Sequence, residues 1–207
     1  MSRLLQIDSS PMGDASISRQ LTQAYARNWL RAHPQGRVVV RDLCRVDMPP
    51  IDAAWVAANF TPPAQRTSAQ NERLALSMEL TAELHDADEY VIGMPMHNWG
   101  PSASFKLWVD HIVRQGVTIE STPSGTRGLL GGRRATFMIA AGAVYGPDAE
   151  QAQRNFLAPW LRQMFAFLGV EDMRFVIADG AVGVFTRQVD PAVFLAPHLE
   201  TVQALFA

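Results

Sequence analysis

The chain has 207 residues, 18 of them basic and 20 acidic, for a formal net charge of −2, and 48% are hydrophobic. That length and composition suit one domain over 1–207 with a sizeable core, and they exclude both disorder and binding to nucleic acid by bulk charge. The single cysteine, Cys44, excludes an internal disulfide and a cysteine-built zinc site.

The first apolar run, Leu4–Ile7, predicts a strand and is broken by Asp8, so it makes neither a signal peptide nor an anchor. No stretch of about 18 apolar residues follows, and a soluble, cytoplasmic protein with no membrane partner is expected. A helix over Ser18–Ala32 would carry Leu21, Tyr25, Trp29 and Leu30 on one stripe. A second strand is predicted at Val38–Val40 and a helix over Ala64–Ala87 with Leu74, Met78, Leu80 and Leu84. Tyr90–Gly93 predicts the third strand, and Ser104–Arg114 a helix with Phe105, Trp108, Val109 and Ile112. The connection Met94–Gly132 is long and includes a Thr/Ser/Pro/Gly loop over Glu120–Gly128. Ala135–Ala140, a helix over Pro147–Leu168, Phe175–Ala178 and a helix over Pro191–Phe206 complete the series. Strands apolar on successive residues are covered on both faces, so the alternation predicts an α/β three-layer sandwich around a parallel sheet. Ligands in such folds lie beyond the carboxyl ends of the strands, which directs attention to the residues after Asp8, Gly93 and Ala140.

After the first strand, Asp8-Ser9-Ser10-Pro11-Met12-Gly13-Asp14-Ala15-Ser16-Ile17-Ser18-Arg19 sets serines around a Pro/Gly turn that opens a helix. Hydroxyls and free N–H groups at a helix start make a neutral cradle for a phosphate; the plainer reading is that Ser16 only caps the helix. The Rossmann and Walker glycine patterns are absent, as is any lysine to meet a γ-phosphate. After the third strand, Gly93-Met94-Pro95-Met96-His97-Asn98-Trp99-Gly100-Pro101 forms an apolar, hydrogen-bonding platform suited to a flat ring such as an isoalloxazine. Its plainer reading makes Met96 and Trp99 core residues and Asn98 a turn cap. The histidines show no H-x-x-x-H spacing, so no metal site is expected, and His33, His85 and His198 are placed near helix ends. No G-x-S-x-G elbow marks a hydrolase.

Together the two segments resemble those of the FMN-dependent NADH:quinone oxidoreductases, or azoreductases. The resemblance continues through Phe105-Lys106-Leu107-Trp108-Val109-Asp110, Gly128-Leu129-Leu130-Gly131-Gly132-Arg133-Arg134-Ala135 and Pro159-Trp160-Leu161. It implies a flavodoxin-like fold with strand order 2-1-3-4-5, and a homodimer with FMN in each of two interface sites. By the same resemblance Ser10 and Ser16-Ile17-Ser18 hold the FMN phosphate, while Met96-His97-Asn98-Trp99 lie along the flavin ring. Two electrons then pass from NADH or NADPH to a quinone or an azo compound by a ping-pong route, with no catalytic side chain. The chain departs from the family at Ala140-Ala141-Gly142-Ala143, where S-R-G-G is usual; Gly142 is expected to preserve the backbone turn and its place beside the flavin. His97 and Trp99 replace a frequent tyrosine and phenylalanine. The homodimer also draws on large side chains expected outside the core: Trp99, Trp108, Val117, Trp160, Met164, Phe165 and Phe167. The alternative function is a non-catalytic, flavodoxin-like FMN electron carrier or sensor, although a net charge of −2 supplies no acidic docking face.

Overall fold

A computed structural model describes all residues, 1–207. Five strands, β1 (Arg3–Asp8), β2 (Arg37–Asp42), β3 (Glu89–Pro95), β6 (Arg134–Ala140) and β7 (Asp172–Ala178), form one parallel sheet in the order β2-β1-β3-β6-β7. Two short strands, β4 (Ile119–Thr122) and β5 (Gly125–Gly128), form a separate antiparallel hairpin. The sheet is thus parallel and five-stranded as expected, but its numbering is 2-1-3-6-7 rather than 2-1-3-4-5. The hairpin was expected as an open loop, because its residues are polar and lack alternation.

The helices are α1 (Ile17–Ala32), α2 (Ala53–Phe60), α3 (Ser68–Asp86), α4 (Ala103–Ile112), α5 (Leu157–Phe167), α6 (Val182–Phe185) and α7 (Pro191–Ala204). Successive residues of one strand point to opposite faces, and the two cores divide accordingly. Leu4, Val91, Met138 and Val176 pack with Leu21, Tyr25 and Trp29 of α1 and Leu195 and Val202 of α7. Leu5, Tyr90, Ile92 and Phe137 pack with Leu84 of α3, Phe105 and Trp108 of α4, and Phe165 of α5. No helix is long and apolar enough to cross a membrane.

Several expectations are corrected. Helix α2, capped by Asp52 through the Trp55 N–H at 2.8 Å, was not foreseen, since its eight residues are too few for a clear period. The helix expected from Pro147 starts only at Leu157; Asn155 Oδ1 accepts the Ala158 N–H at 3.1 Å, and a 3-10 turn precedes it. Leu30 and Met78 face solvent. Trp108 and Phe165 are wholly buried in the core and are not available to a partner. His198 lies in the middle of α7 rather than at an end, packed beside Phe194.

Candidate ligand site at the carboxyl end of the sheet

The register places Asp8, the last residue of β1, beside Asp42 and Gly93. A Cβ at Gly93 would lie 2.8 Å from both Asp8 Oδ1 and Thr22 Cγ2, so only glycine lets α1 approach the sheet here. The Ser9 N–H and hydroxyl both reach the Gly93 carbonyl, at 2.9 and 3.2 Å. This turns the chain outward into the serine segment.

The segment bends at Gly13, with φ of +54°, and enters α1 at Ser16. Ser16 Oγ accepts the Arg19 N–H at 3.2 Å and lies 3.2 Å from Ser18 Oγ. The capping role is therefore real, yet it leaves the cradle available. Of the N–H groups at the start of α1, those of Arg19 and Gln20 are bonded to Ser16, at 3.2 and 3.0 Å. Those of Ile17 and Ser18 have no partner in the chain, as the first turn of a helix dictates. Ser10, Ser16 and Ser18 are buried beside them.

β3 ends at Pro95, and the Met96 N–H donates to the Ala140 carbonyl at 2.8 Å. His97 and Gly100 then exchange both backbone hydrogen bonds, each 3.0 Å, closing a two-residue turn on Asn98 and Trp99. Both turn residues are left-handed, with φ of 50° and 68°. Asparagine tolerates that region; a tryptophan there is strained by about 1–3 kcal/mol. The N–H groups of Asn98 and Trp99 make no bond within the chain. Trp99 remains 44% exposed, with the Arg154 guanidinium 5.3 Å above its ring.

A pocket of about 340 Å³ lies among these loops, within the range of roughly 300–1,000 Å³ usual for small-molecule sites. Ser10, Ser16, Ile17, Ser18, Met96, His97 and Gly142 all line it, together with Pro11, Met12, Ala141 and Phe185. Asn98 and Trp99 stand at the tip of their turn, outside that lining. Gly142 corrects one expectation. Its φ is not in the left-handed region, so the turn does not require glycine; a Cβ there would meet nothing within 4 Å, and the residue instead leaves open space at the pocket.

Beneath the cradle lies a buried ionic group. Asp8 accepts from Thr22 Oγ1 at 2.7 Å and Gln6 Nε2 at 2.8 Å, and Arg19 Nη1 is 3.9 Å away. Burial nonetheless pushes its carboxyl above the usual range. Burial works against the charge of Arg19, but the Asp42 carboxylate at 2.8 Å and Asp8 outweigh it and raise its pKa. Asp8 is held by Thr22 and Gln6 and Arg19 by Asp42, and the pocket wall itself presents hydroxyls, amides and apolar groups.

Phe185 and Met12 were not among the expected site residues. The carboxyl-end rule, applied to β7, points to the segment after Ala178 but does not single out Phe185 within it.

The family model for the flavodoxin-like fold matches residues 2–195. The chain is 78% identical over 207 residues to FMN-dependent NADH:quinone oxidoreductase 3 of Burkholderia lata, covering 100% of both chains. It is 45% identical over 203 residues to an FMN-dependent NADH:quinone oxidoreductase of Acidobacterium capsulatum, covering 98% of each. Among solved structures it is similar to an FMN-dependent NADH-azoreductase of Bacillus anthracis in complex with FMN, with a TM-score of 0.86 and 25% identity over 100% of this chain and 98% of that one.

Proposed function

We propose, on the premise that this chain belongs to the FMN-dependent NADH:quinone oxidoreductase family, that it holds FMN in this pocket and passes two electrons from NADH to a quinone. The observation that carries the reading is the neutral cradle. Three buried hydroxyls and two unbonded N–H groups converge where a helix begins, which suits a phosphate without any lysine or metal.

The residues present fit FMN. Ser10, Ser16 and Ser18, with the N–H groups of Ile17 and Ser18, would bind the phosphate. The turn Met96-His97-Asn98-Trp99 would orient the ring, offering the free N–H groups of Asn98 and Trp99 to its polar edge. Gly142 leaves space that a side chain would fill. When bound, FMN supplies a carrier that accepts a hydride and returns two electrons, so no side chain has to act as acid or base. Accordingly, no acidic residue lines the pocket, and Asp8 beneath it already accepts hydrogen bonds at both oxygens.

Azo compounds form the second acceptor class of the reading, supported by the solved azoreductase neighbour. A homodimer is part of the reading too: of the side chains expected to support it, Trp99 and Phe167 are exposed whereas Trp108 and Phe165 are not, and Phe156 is a further exposed one. Steady-state kinetics with NADH and a benzoquinone test the function. Donor and acceptor sharing one flavin face give parallel double-reciprocal lines. Intersecting lines would contradict the shared face, and no FMN-dependent NADH oxidation would overturn the assignment.

A further inference from the structure

Two large apolar side chains at the pocket remain without a partner. Met12 is 51% exposed and Phe185 59% exposed, and both line the same pocket as the serine cradle. Set around one pocket, they leave apolar surface whose burial by a ligand would be favourable.

Their loops are built to hold them there. Phe185 ends α6, and the chain just before it is fastened to the loop after β6. The Gly180, Ala181 and Val182 N–H groups donate to the carbonyls of Ala143, Ala141 and Gly142 at 3.1, 2.9 and 3.1 Å. Behind it, Gln188 and Val189 both donate to the Gly183 carbonyl, at 2.8 and 3.0 Å, and Arg187 is held at a φ of 59°. A Cβ on Gly183 would sit 2.8 Å from Val189 Cγ2, so a larger residue there would push the Val189 side chain aside. Met12 is fixed on its own side: its carbonyl accepts the Ala15 N–H at 3.2 Å and its N–H reaches Ser10 Oγ at 3.4 Å.

We infer that Met12 and Phe185 form an apolar clasp, on two separately braced loops, that covers the flavin between its phosphate and its ring and thereby retains it. The inference rests on the FMN reading above and adds binding residues to it. Because the loops are braced beforehand, the clasp would bury apolar surface with little ordering of backbone, which favours slow release.

Apo-protein titrated with FMN and with riboflavin, followed by flavin fluorescence, tests this, with stopped-flow dilution giving release rates. Phe185→Ala should weaken FMN about tenfold, mostly through faster release, as expected for uncovering part of an aromatic contact. Riboflavin should lose the same factor, since the clasp touches what the two ligands share. Phe185→Leu should recover most of the loss, and Met12→Ala with Phe185→Ala should exceed either alone. Both side chains are exposed, so unfolding midpoints should not move. Affinities and release rates within twofold of the unsubstituted protein, or a loss confined to FMN, would overturn the clasp while leaving the flavin reading standing. Failure of the unsubstituted protein to bind FMN would overturn both.

Discussion

The two ends of the sheet differ in a way that size alone would misjudge. At the amino end of the strands an open cavity of about 560 Å³ is lined by Asp88, Glu89, Arg133, Arg134, Glu171 and Asp172 among others, with no hydrophobic residue. Apart from Glu171, its charged groups are already engaged. Arg134 pairs with Asp172 at 2.6 Å, Arg133 donates to the Ala87 and His85 carbonyls at 2.9 and 2.8 Å, and Asp88 accepts the Arg3 N–H at 2.8 Å. The carboxyl end holds the smaller pocket, yet there N–H groups lack partners, Trp99 is held in a strained left-handed turn, and large apolar side chains face water. Native structures normally satisfy buried polar groups and cover apolar ones. The end that does neither is the end with capacity left for a ligand.

The division predicts that substitutions at the two ends move different quantities. The largest effect is expected near the amino end. A Cβ at Gly128 would lie 2.0 Å from the Leu168 carbonyl carbon and 2.1 Å from the Gly169 nitrogen, backbone that has little room to move. Gly128→Ala should lower stability by ~3 kcal/mol in urea unfolding while the folded fraction keeps its FMN affinity. Weakened FMN at unchanged stability would break the contrast. Next, Ser16→Ala with Ser18→Ala should weaken FMN by ~1–3 kcal/mol. Stability should fall by only about 1 kcal/mol through the lost cap; unchanged FMN affinity in a fluorescence titration would sink the phosphate assignment.

A third substitution should act in the reverse sense. Trp99→Gly removes a strained left-handed side chain and leaves Asn-Gly, the favoured pair for such a turn. After loss of the Arg154 contact and the greater freedom of the unfolded chain, stability should still rise by ~0.5–1 kcal/mol. FMN-dependent NADH oxidation should slow; a loss of stability would show that the turn is not strained. The smallest effect concerns Asp8. Its carboxyl is pushed above the usual range by burial, so the folded chain holds more protons than the unfolded one. Its contribution to stability therefore falls as pH rises from its unfolded value near 3.8 through the raised folded value. Urea unfolding of the unsubstituted protein and of Asp8→Asn, compared between acid and neutral pH, should show the difference moving in favour of the variant as pH rises. A difference that is flat with pH would place Asp8 outside this account.

The sequence made the sheet legible because each strand is a continuous apolar run between turn residues, and two-sided burial leaves no alternation to confuse with a helix. It concealed α2, whose eight residues give barely two turns of period, and the β4–β5 hairpin, whose mostly polar residues show no alternation. It also misrepresented 147–156, where helix-compatible residues follow a proline but no apolar stripe fixes them. Within the site, the serine cradle and the Met96–Trp99 turn were visible as unusual residue clusters at strand ends. Phe185 was not, because an isolated phenylalanine in a strand-to-helix connection reads like any core residue. Only the three-dimensional pairing of the loops after β6 and β7 sets it at the pocket. Gly142 was visible for the wrong reason: its value lies in the space it leaves rather than in its backbone angles.

The account stands most directly on what the FMN-loaded protein does when mixed anaerobically with NADH. It predicts rapid, stoichiometric bleaching of the flavin's visible band, followed by full return of the colour on adding one equivalent of a benzoquinone. A flavin that stays yellow in excess NADH would contradict it and make the protein a carrier or sensor instead.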